Sequence, residues 1–592
     1  MPAYSLQQVE RTQEEYERLH QQLSAEIDSC AGLDRSRMNH VQNFLEENGI
    51  WHTKDMDYNL RQAFGQYLEG RMCRDTACAC ITVFDKIKQH SIREQMQTLA
   101  GQMECRWKYD NKVLFIPYHH DQEVMQKYDR VRFKENVVWD FEIVCNEKMK
   151  RQVFEILNYI IENYEVSRLR EYKLTGLQLL YSFCVENDIT DIECLELAQI
   201  ELFYGYVNKR VEKEQRRKNM TAIVETARKI LFLQGSEIHW NANVWYLERF
   251  RFAPERINPS QKIESISFAE VMFLENRTLL KEFMKYELGV TDLAISSAYE
   301  TFRILRNFLQ TMDGKNINAC KCPTEYIDKY FKELQEKGNS SKTFNREIAA
   351  IQFFYKFLEI KGHIKRVPFN PEYYFQKEMP VHHDRSVAEG VCMEIIGNLK
   401  YFPEHLRLMF LHLWCVGLRI SEVCTLKGNA YFRQGQDVWI QVYQVKLRTY
   451  KRVPIPEVLY KLMRVYLKKN EIGADDYAFT NKDGSPFPYS TFCWQMKKYC
   501  RKYNIAGGEY IFKTHDYRHT VATMYYDCGV SIQSIRDYLG HNYEEMTEQY
   551  IDYMPKKIAK ANEEYFAQNG GGLASGIKRD KKGDRHGEQD LL

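Results

Sequence analysis

Five short motifs between Gly417 and Tyr553 carry side chains suited to chemistry on an anion. They are GLRISE with Arg419 and Glu422, a polar turn with Lys446, THDYRH with His515 and Arg518, LGH with His541, and TEQYIDY with Tyr550 and Tyr553. A guanidinium donates in a planar fork that matches two phosphate oxygens. An imidazole takes or gives a proton near neutral pH. A phenol, with a reference pKa of about 10, attacks only when a base or a positive field assists it.

The elements that must position these groups are legible from caps and periodicity. Gly417 follows an apolar helical run, where a left-handed cap is expected, so Arg419 opens a new short helix. Glu422, three residues on, can hold the guanidinium by a charge-assisted hydrogen bond. On this segment alone a surface ion pair would account for the pattern better. In DVWIQVY, Val438, Ile440 and Val442 alternate with Trp439, Gln441 and Tyr443, and KRVPIP follows a polar turn, which predicts an antiparallel hairpin with Lys446 at its tip. A lysine there is ordinarily a solvated charge and gains weight only from companions. Thr514 as N-cap and Gly529 as stop frame a helix on which His515 and Arg518 share a face, so a phosphate near the helix start meets both. His519 points away from that face. A further helix, Ser531 to Leu539, ends at Gly540 and presents His541 in the turn. Tyr550 and Tyr553 are both available, and a lone tyrosine is far more often core or surface than nucleophile.

In this order and at these spacings, G-L-R-I-S-E, a lysine seven residues before V-P, H-x-x-R-H, L-G-H and T-x-x-Y together resemble the catalytic domain of the tyrosine recombinases, the phage integrase and Xer-type family. The resemblance covers roughly Ser386 to Tyr550. It implies Tyr550 as nucleophile and Lys446 as general acid on the departing 5′ oxygen. Arg419 and Arg518 suit the negative charge that builds on a pentavalent phosphorus, His515 is the candidate base, and His541 adds a hydrogen bond to the same oxygen. The product would be a 3′-phosphotyrosyl link that a 5′ hydroxyl reseals without ATP. No metal or cofactor is implied. Double-stranded DNA is the implied partner, bound by a homo-oligomer that forms a tetramer through a Holliday junction, with residues 556–566 docking on a neighbour. Accessory recombinases are a further partner class, and the length of the chain is similar to that of the large recombinases of site-specific transposons. Asp516-Tyr517 departs from the commoner apolar pair inside H-x-x-R. Two rival readings stand beside this one: a type IB topoisomerase, against which His515 counts because that family generally has Lys or Arg there, and a catalytically idle DNA-binding accessory factor.

The chain has 592 residues and a formal charge of only +2, but charge is unevenly spread. From Val442 to Arg464 there are six Lys/Arg against Glu457, and from Trp494 to Arg518 six against Glu509 and Asp516. Arg448, Lys451, Arg452, Lys497, Lys498 and Arg501 are therefore candidates for contact with a DNA backbone. The opening run lacks the apolar core of a signal peptide, so the sixteen cysteines are expected to be reduced thiols in the cytoplasm. Cys73, Cys78 and Cys80, or Cys320 and Cys322, lack the paired spacing of a metal knot. No apolar stretch is long enough for a membrane span.

The expected fold class is mainly α with a small antiparallel sheet, in several domains. Residues 1–160 form an N-terminal helical region with some strand, including alternation from Val131 to Trp139. Residues 161–270 form a helical domain followed by an extended connector. Residues 271–365 form a helical core-binding domain, in which Phe302, Leu305 and Phe308, then Ile327, Phe331 and Leu334, then Phe344, Ile348, Ile351, Tyr355 and Leu358 make apolar stripes. Residues 366–385 are a linker, 386–566 the mixed α/β catalytic domain, and 567–592 a disordered tail. Leu174 to Leu233 repeats the outline of the core-binding helices, either as a diverged internal copy or simply as another helical domain, and Asn59 to His90 is a weaker third instance.

Overall fold

The computed structural model describes residues 13–109, 112–128, 134–165, 167–378, 385–541 and 547. It is mostly helical, and the chain divides into two compact units, one of residues 1–250 with 265–277 and one of residues 251–264 with 278–592.

In the first unit, helices Gln13–Asp28, Arg35–Glu47, Tyr58–Leu68 and Arg74–Gln95 surround Leu23, Val41, Phe44, Phe64 and Phe84. Helices Glu147–Asn163, Ser167–Glu186, Leu197–Arg210 and Ile223–Gln234 enclose a second core that includes Val153, Ile156, Leu177, Phe203 and Ile223. The Glu147–Asn163 helix starts where it does because the Asn146 side chain accepts from the N–H groups of Lys148 and Met149. Two short antiparallel ribbons accompany them, Val113–Phe115 with Val138–Asp140 and Val244–Tyr246 with Ser265–Ser267. The strand expected from Val131 to Trp139 is shorter than its alternation suggests: Lys134–Val137 is a 3₁₀ turn, and residues 131–133 lie outside the described residues.

In the second unit, helices Ile295–Asp313, Thr324–Glu336 and Ser341–Ile360 carry the three apolar stripes inward. The segment read as an extended linker behaves differently. Phe369 is buried, with its ring against those of Phe331, Tyr355 and Tyr374, and Asn345 exchanges hydrogen bonds with the backbone of Gln376 in both directions. Pro368, Pro371 and Pro380 signal the loss of helix, but Phe369 and Tyr374, two of the four aromatic residues among them, dock the segment onto the helices it follows. The tail from 567 lies outside the described residues.

The last part of the chain places helices around one antiparallel sheet of Tyr431–Gln434, Asp437–Gln444 and Thr449–Pro454, paired in chain order. Val438, Ile440 and Val442 face the core and alternate with half-exposed neighbours, as a one-sided sheet requires. That core includes Leu413, Val423, Met463, Phe492, Phe512 and Tyr517.

Candidate active site

Each motif stands at the end of an element. The Glu404–Val416 helix stops at Gly417 in the left-handed region, φ 67°, and a β-carbon there would lie 3.2 Å from Val521. Only glycine suits both conditions. The chain then turns into the Ile420–Cys424 helix, with Arg419 as its N-cap residue. Thr514–Asp527 bears His515 and Arg518 one turn apart, with Lys513 rather than Thr514 at the cap, and Ser531 caps Ile532–Leu539 through the N–H of Ser534. Gly540, φ 70°, ends that helix and delivers His541.

Arg518 is buried at 1% exposure. Its two terminal nitrogens donate to the carbonyls of Gly417 at 2.9 Å and Leu539 at 2.6 Å, and to His541 Nε2 at 2.9 Å. A guanidinium has no acceptor atom, so Nε2 must be unprotonated, and Nδ1 then donates to Thr547 Oγ1 at 3.0 Å. Burial first, then the charges of Arg518, Arg419 and Lys451, push the His541 pKa down to about 2, which agrees with this neutral tautomer.

Arg419 is anchored differently. Its backbone N–H and one terminal nitrogen both donate to Glu422, each at 3.0 Å. Glu422 is buried at 1% exposure, with Lys451 Nζ 3.4 Å from Oε2, the oxygen that also accepts from the Arg419 backbone. Burial favours the neutral carboxyl, but Lys451, Arg518 and Arg419 outweigh it and hold Glu422 below its ordinary pKa. Lys451 also donates to the Leu539 carbonyl at 3.1 Å, and burial lowers its pKa to about 8.

His515 keeps an open edge, yet the protein packed around it, followed by Arg518, Arg419, Arg385 and Lys446, lowers its pKa to about 4. Lys446, exposed on the hairpin turn, thus lies within electrostatic reach of that ring. A cleft of about 470 Å³ opens beside His515, lined by Arg385, Tyr510, Lys513 and Asp516 among others. Asp516-Tyr517 has a physical explanation. Tyr517 packs its ring 5.1 Å from Phe410 and 5.3 Å from Phe512 as an apolar residue would, and its hydroxyl meets that of Tyr510 at 3.0 Å. His519 is buried next to His515, with ring centroids 5.3 Å apart.

The structure therefore gathers Arg419, Glu422, Arg518 and His541 into one network, with His515 and Lys446 at its border. Tyr550 and Tyr553 lie outside the described residues. Of the candidates for backbone contact, Lys451 is not on the surface but inside the site. Strand alternation carried that signal, since Lys451 shares the inward face with Val453 and pairs with Val442. Arg448 is held by the carboxylate and carbonyl of Asp292. Arg452 is exposed and donates to Gln441, while Lys497, Lys498 and Arg501 are exposed on the Tyr489–Lys502 helix. There Lys498 sits over the exposed ring of Trp494. Sequence reading missed Gln444 and Thr547. The first donates to the Gly540 carbonyl at 3.2 Å and the second holds His541.

No group of three or more metal-ligating side chains occurs among the described residues, and no described helix is long and apolar enough to cross a membrane.

Residues 386–557 match the model of the phage integrase family. Among curated proteins it is similar to transposase B of transposon Tn554 from Staphylococcus aureus strain N315, with 27% identity over 353 residues, 57% of this chain and 55% of the transposase. It is 25% identical over 306 residues to tyrosine recombinase XerC of Bacillus pumilus, covering 48% of this chain and 93% of XerC. The chain thus spans about half the length of the transposase it matches. Among solved structures, XerA recombinase aligns over 49% of this chain and 98% of its own, with 24% identity and a TM-score of 0.27.

Proposed function

We propose that this protein is a site-specific DNA recombinase of a mobile element, cutting and rejoining strands through a phosphotyrosyl intermediate. The observation that carries the reading is the pairing of Arg419 and Arg518 around one buried carboxylate and one neutral imidazole, held by fixed protein groups before any substrate arrives. Preorganised donors of this kind act on charge as it develops and need no rearrangement during the step. A scissile phosphate set against the two guanidinium groups receives attack from the Tyr550 oxygen. The P–O bond to the 5′ oxygen breaks and leaves the 3′ phosphate on tyrosine. His515, neutral across the physiological range, takes the phenolic proton, and Lys446 at the tip of the hairpin delivers a proton to the departing oxygen. Glu422 and Lys451 position Arg419 and do not react.

The helices Ile295–Asp313, Thr324–Glu336 and Ser341–Ile360 hold the duplex against the catalytic domain, and recombination proceeds in a homotetramer, with other recombinases of the same element as accessory partners. The test is covalent capture of a nicked duplex carrying the element's end. Tyr550→Phe is expected to abolish capture while binding persists. Capture that survives the substitution would move the nucleophile elsewhere, with Tyr553 next in line.

A further inference from the structure

Three helix stops of one kind along the chain are followed by the same elements. In each, a residue of positive φ is followed by an isoleucine whose N–H returns to the carbonyl five residues back; the same stop also ends Glu457–Lys469, where Glu471 (φ 54°) precedes Ile472, bonded to Leu467 at 3.0 Å, but the repeated elements do not follow it. Gly49 (φ 69°) precedes Ile50, bonded to Leu45 at 2.8 Å; Asp188 (φ 50°) precedes Ile189, bonded to Cys184 at 3.0 Å; Asn316 (φ 51°) precedes Ile317, bonded to Met312 at 3.2 Å. Aspartate and asparagine are the side chains that best tolerate the conformation glycine takes freely.

The elements after each stop repeat as well. A 3₁₀ turn comes next, Thr53–Asp55, Ile192–Cys194 or Ala319–Lys321, and then a helix, Tyr58–Leu68, Leu197–Arg210 or Thr324–Glu336. A last helix closes each set, Arg74–Gln95, Glu214–Thr221 continued by Ile223–Gln234, or Ser341–Ile360. Between the second and third sets the register barely drifts. Glu147 and Leu274, Ile192 and Ala319, Leu197 and Thr324, and Glu214 and Ser341 begin corresponding elements, each pair 127 residues apart. Insertions and deletions would have scattered these starts had the likeness been only that of one helical hairpin to another.

The edge between the last two helices differs sharply in charge among the three. In the second set, residues 209–218 carry Lys209, Arg210, Lys213, Arg216, Arg217 and Lys218 against Glu212 and Glu214. In the third, residues 336–346 carry Lys337, Lys342 and Arg346 against Glu336. In the first, residues 69–78 balance Arg71 and Arg74 with Glu69 and Asp75. Lys209, Lys213, Arg216 and Lys218 are exposed. Lys218 pairs with Glu214 within its helix, and Lys209, Lys213 and Arg216 make no ion pair among the described residues.

We propose that the three sets are copies of one helical module, and that the second has kept a duplex-DNA-binding edge at residues 209–218 which the first has lost. The inference rests on the reading that the third module grips DNA beside the catalytic domain. It gives the protein a second, non-catalytic hold on the same duplex, made of exposed cations on a fixed helical turn. Such an edge contacts phosphates and so binds without regard to sequence.

The experiment measures binding of the full chain to a long duplex of arbitrary sequence as a function of salt. Neutralising Lys209, Lys213, Arg216 and Lys218 to alanine is expected to make the slope of log affinity against log salt shallower by up to about 3.6, since each lost phosphate contact removes about 0.9. Exchanging the four residues between lysine and arginine should leave the slope unchanged, and an unaltered thermal midpoint of the alanine variant excludes unfolding as the cause. Arg71→Ala with Arg74→Ala, in the first module, should leave the slope as it is. An equal change from that pair would mean that net charge alone is being read and would overturn the proposal. If Lys342→Ala with Arg346→Ala lowers the slope but the second-module variant does not, the proposal fails and the recombinase reading stands. If neither changes it, the third module does not grip DNA and both fall.

Discussion

The two guanidinium groups of the site are held by opposite means. Arg518 lies inside the protein and directs its donors at backbone carbonyls and a neutral ring, none of which changes charge near neutral pH. Arg419, at 14% side-chain exposure, leans on one carboxylate, which in turn is balanced by Lys451. The first arrangement fixes a charge by burial and dipoles, and the second by counter-charge. A buried cation whose hydrogen bonds run to backbone carbonyls is costly to disturb, because any replacement leaves those carbonyls unpaired. Arg419 keeps one edge open at 14% exposure, so a lysine in its place can still meet the Glu422 carboxylate and loses less.

The comparison is tested most severely by exchanging each arginine for lysine. Arg518→Lys should destabilise the protein by about 3–5 kcal/mol and lower covalent capture by at least ~100-fold, since one ammonium cannot reach both carbonyls and the ring. Arg419→Lys should cost a similar ~100-fold in capture but only about 1 kcal/mol in stability. Thermal melts beside single-turnover capture separate the two, and equal stability losses would erase the distinction.

Acid should undo the two sides in different windows. His541 has a folded pKa far below its unfolded value of about 6.5. Its contribution is therefore fully present above that value and is lost as pH falls, because only the unfolded chain takes up the proton. Glu422 is also lowered, but from the glutamate value of about 4.3, so its contribution persists until the pH falls below that point. Between pH 7 and 5 the stability advantage of the native protein over His541→Gln should shrink, while its advantage over Glu422→Gln stays level. Melting curves of both variants across that range check this, and parallel behaviour would contradict it. The smallest effect is expected at Arg452, which is exposed on the hairpin. Arg452→Ala should move stability by no more than about 0.5 kcal/mol.

How much of the site is legible in the sequence depends on how far each signal reaches. Local rules carried Gly417, the one-turn spacing of His515 and Arg518, the helix that ends at Gly540 and the hairpin, because helix stops and alternation act within a few residues. Lys451 was misplaced because its charge suggested a surface, whereas its neighbours in the strand put it on the inward face. The partner that makes its burial tolerable, Glu422, lies 29 positions away in sequence. The 368–376 segment misled for a related reason. Proline reports what the backbone cannot do, and it says nothing of where Phe369 and Tyr374 will dock. Gln444 and Thr547 carried no local signal, since their role exists only once Gly540 and His541 have been brought to them.

Gly540 has a consequence for how the site can move. A β-carbon at that position would lie 2.2 Å from Gln444 Nε2, so the end of the middle strand rests directly on the turn that delivers His541. The hairpin tip bearing Lys446 and the imidazole beside Arg518 are thereby geared together. Any displacement of the strand that moves the Lys446 turn therefore also disturbs the seat of His541, so the two cannot shift independently.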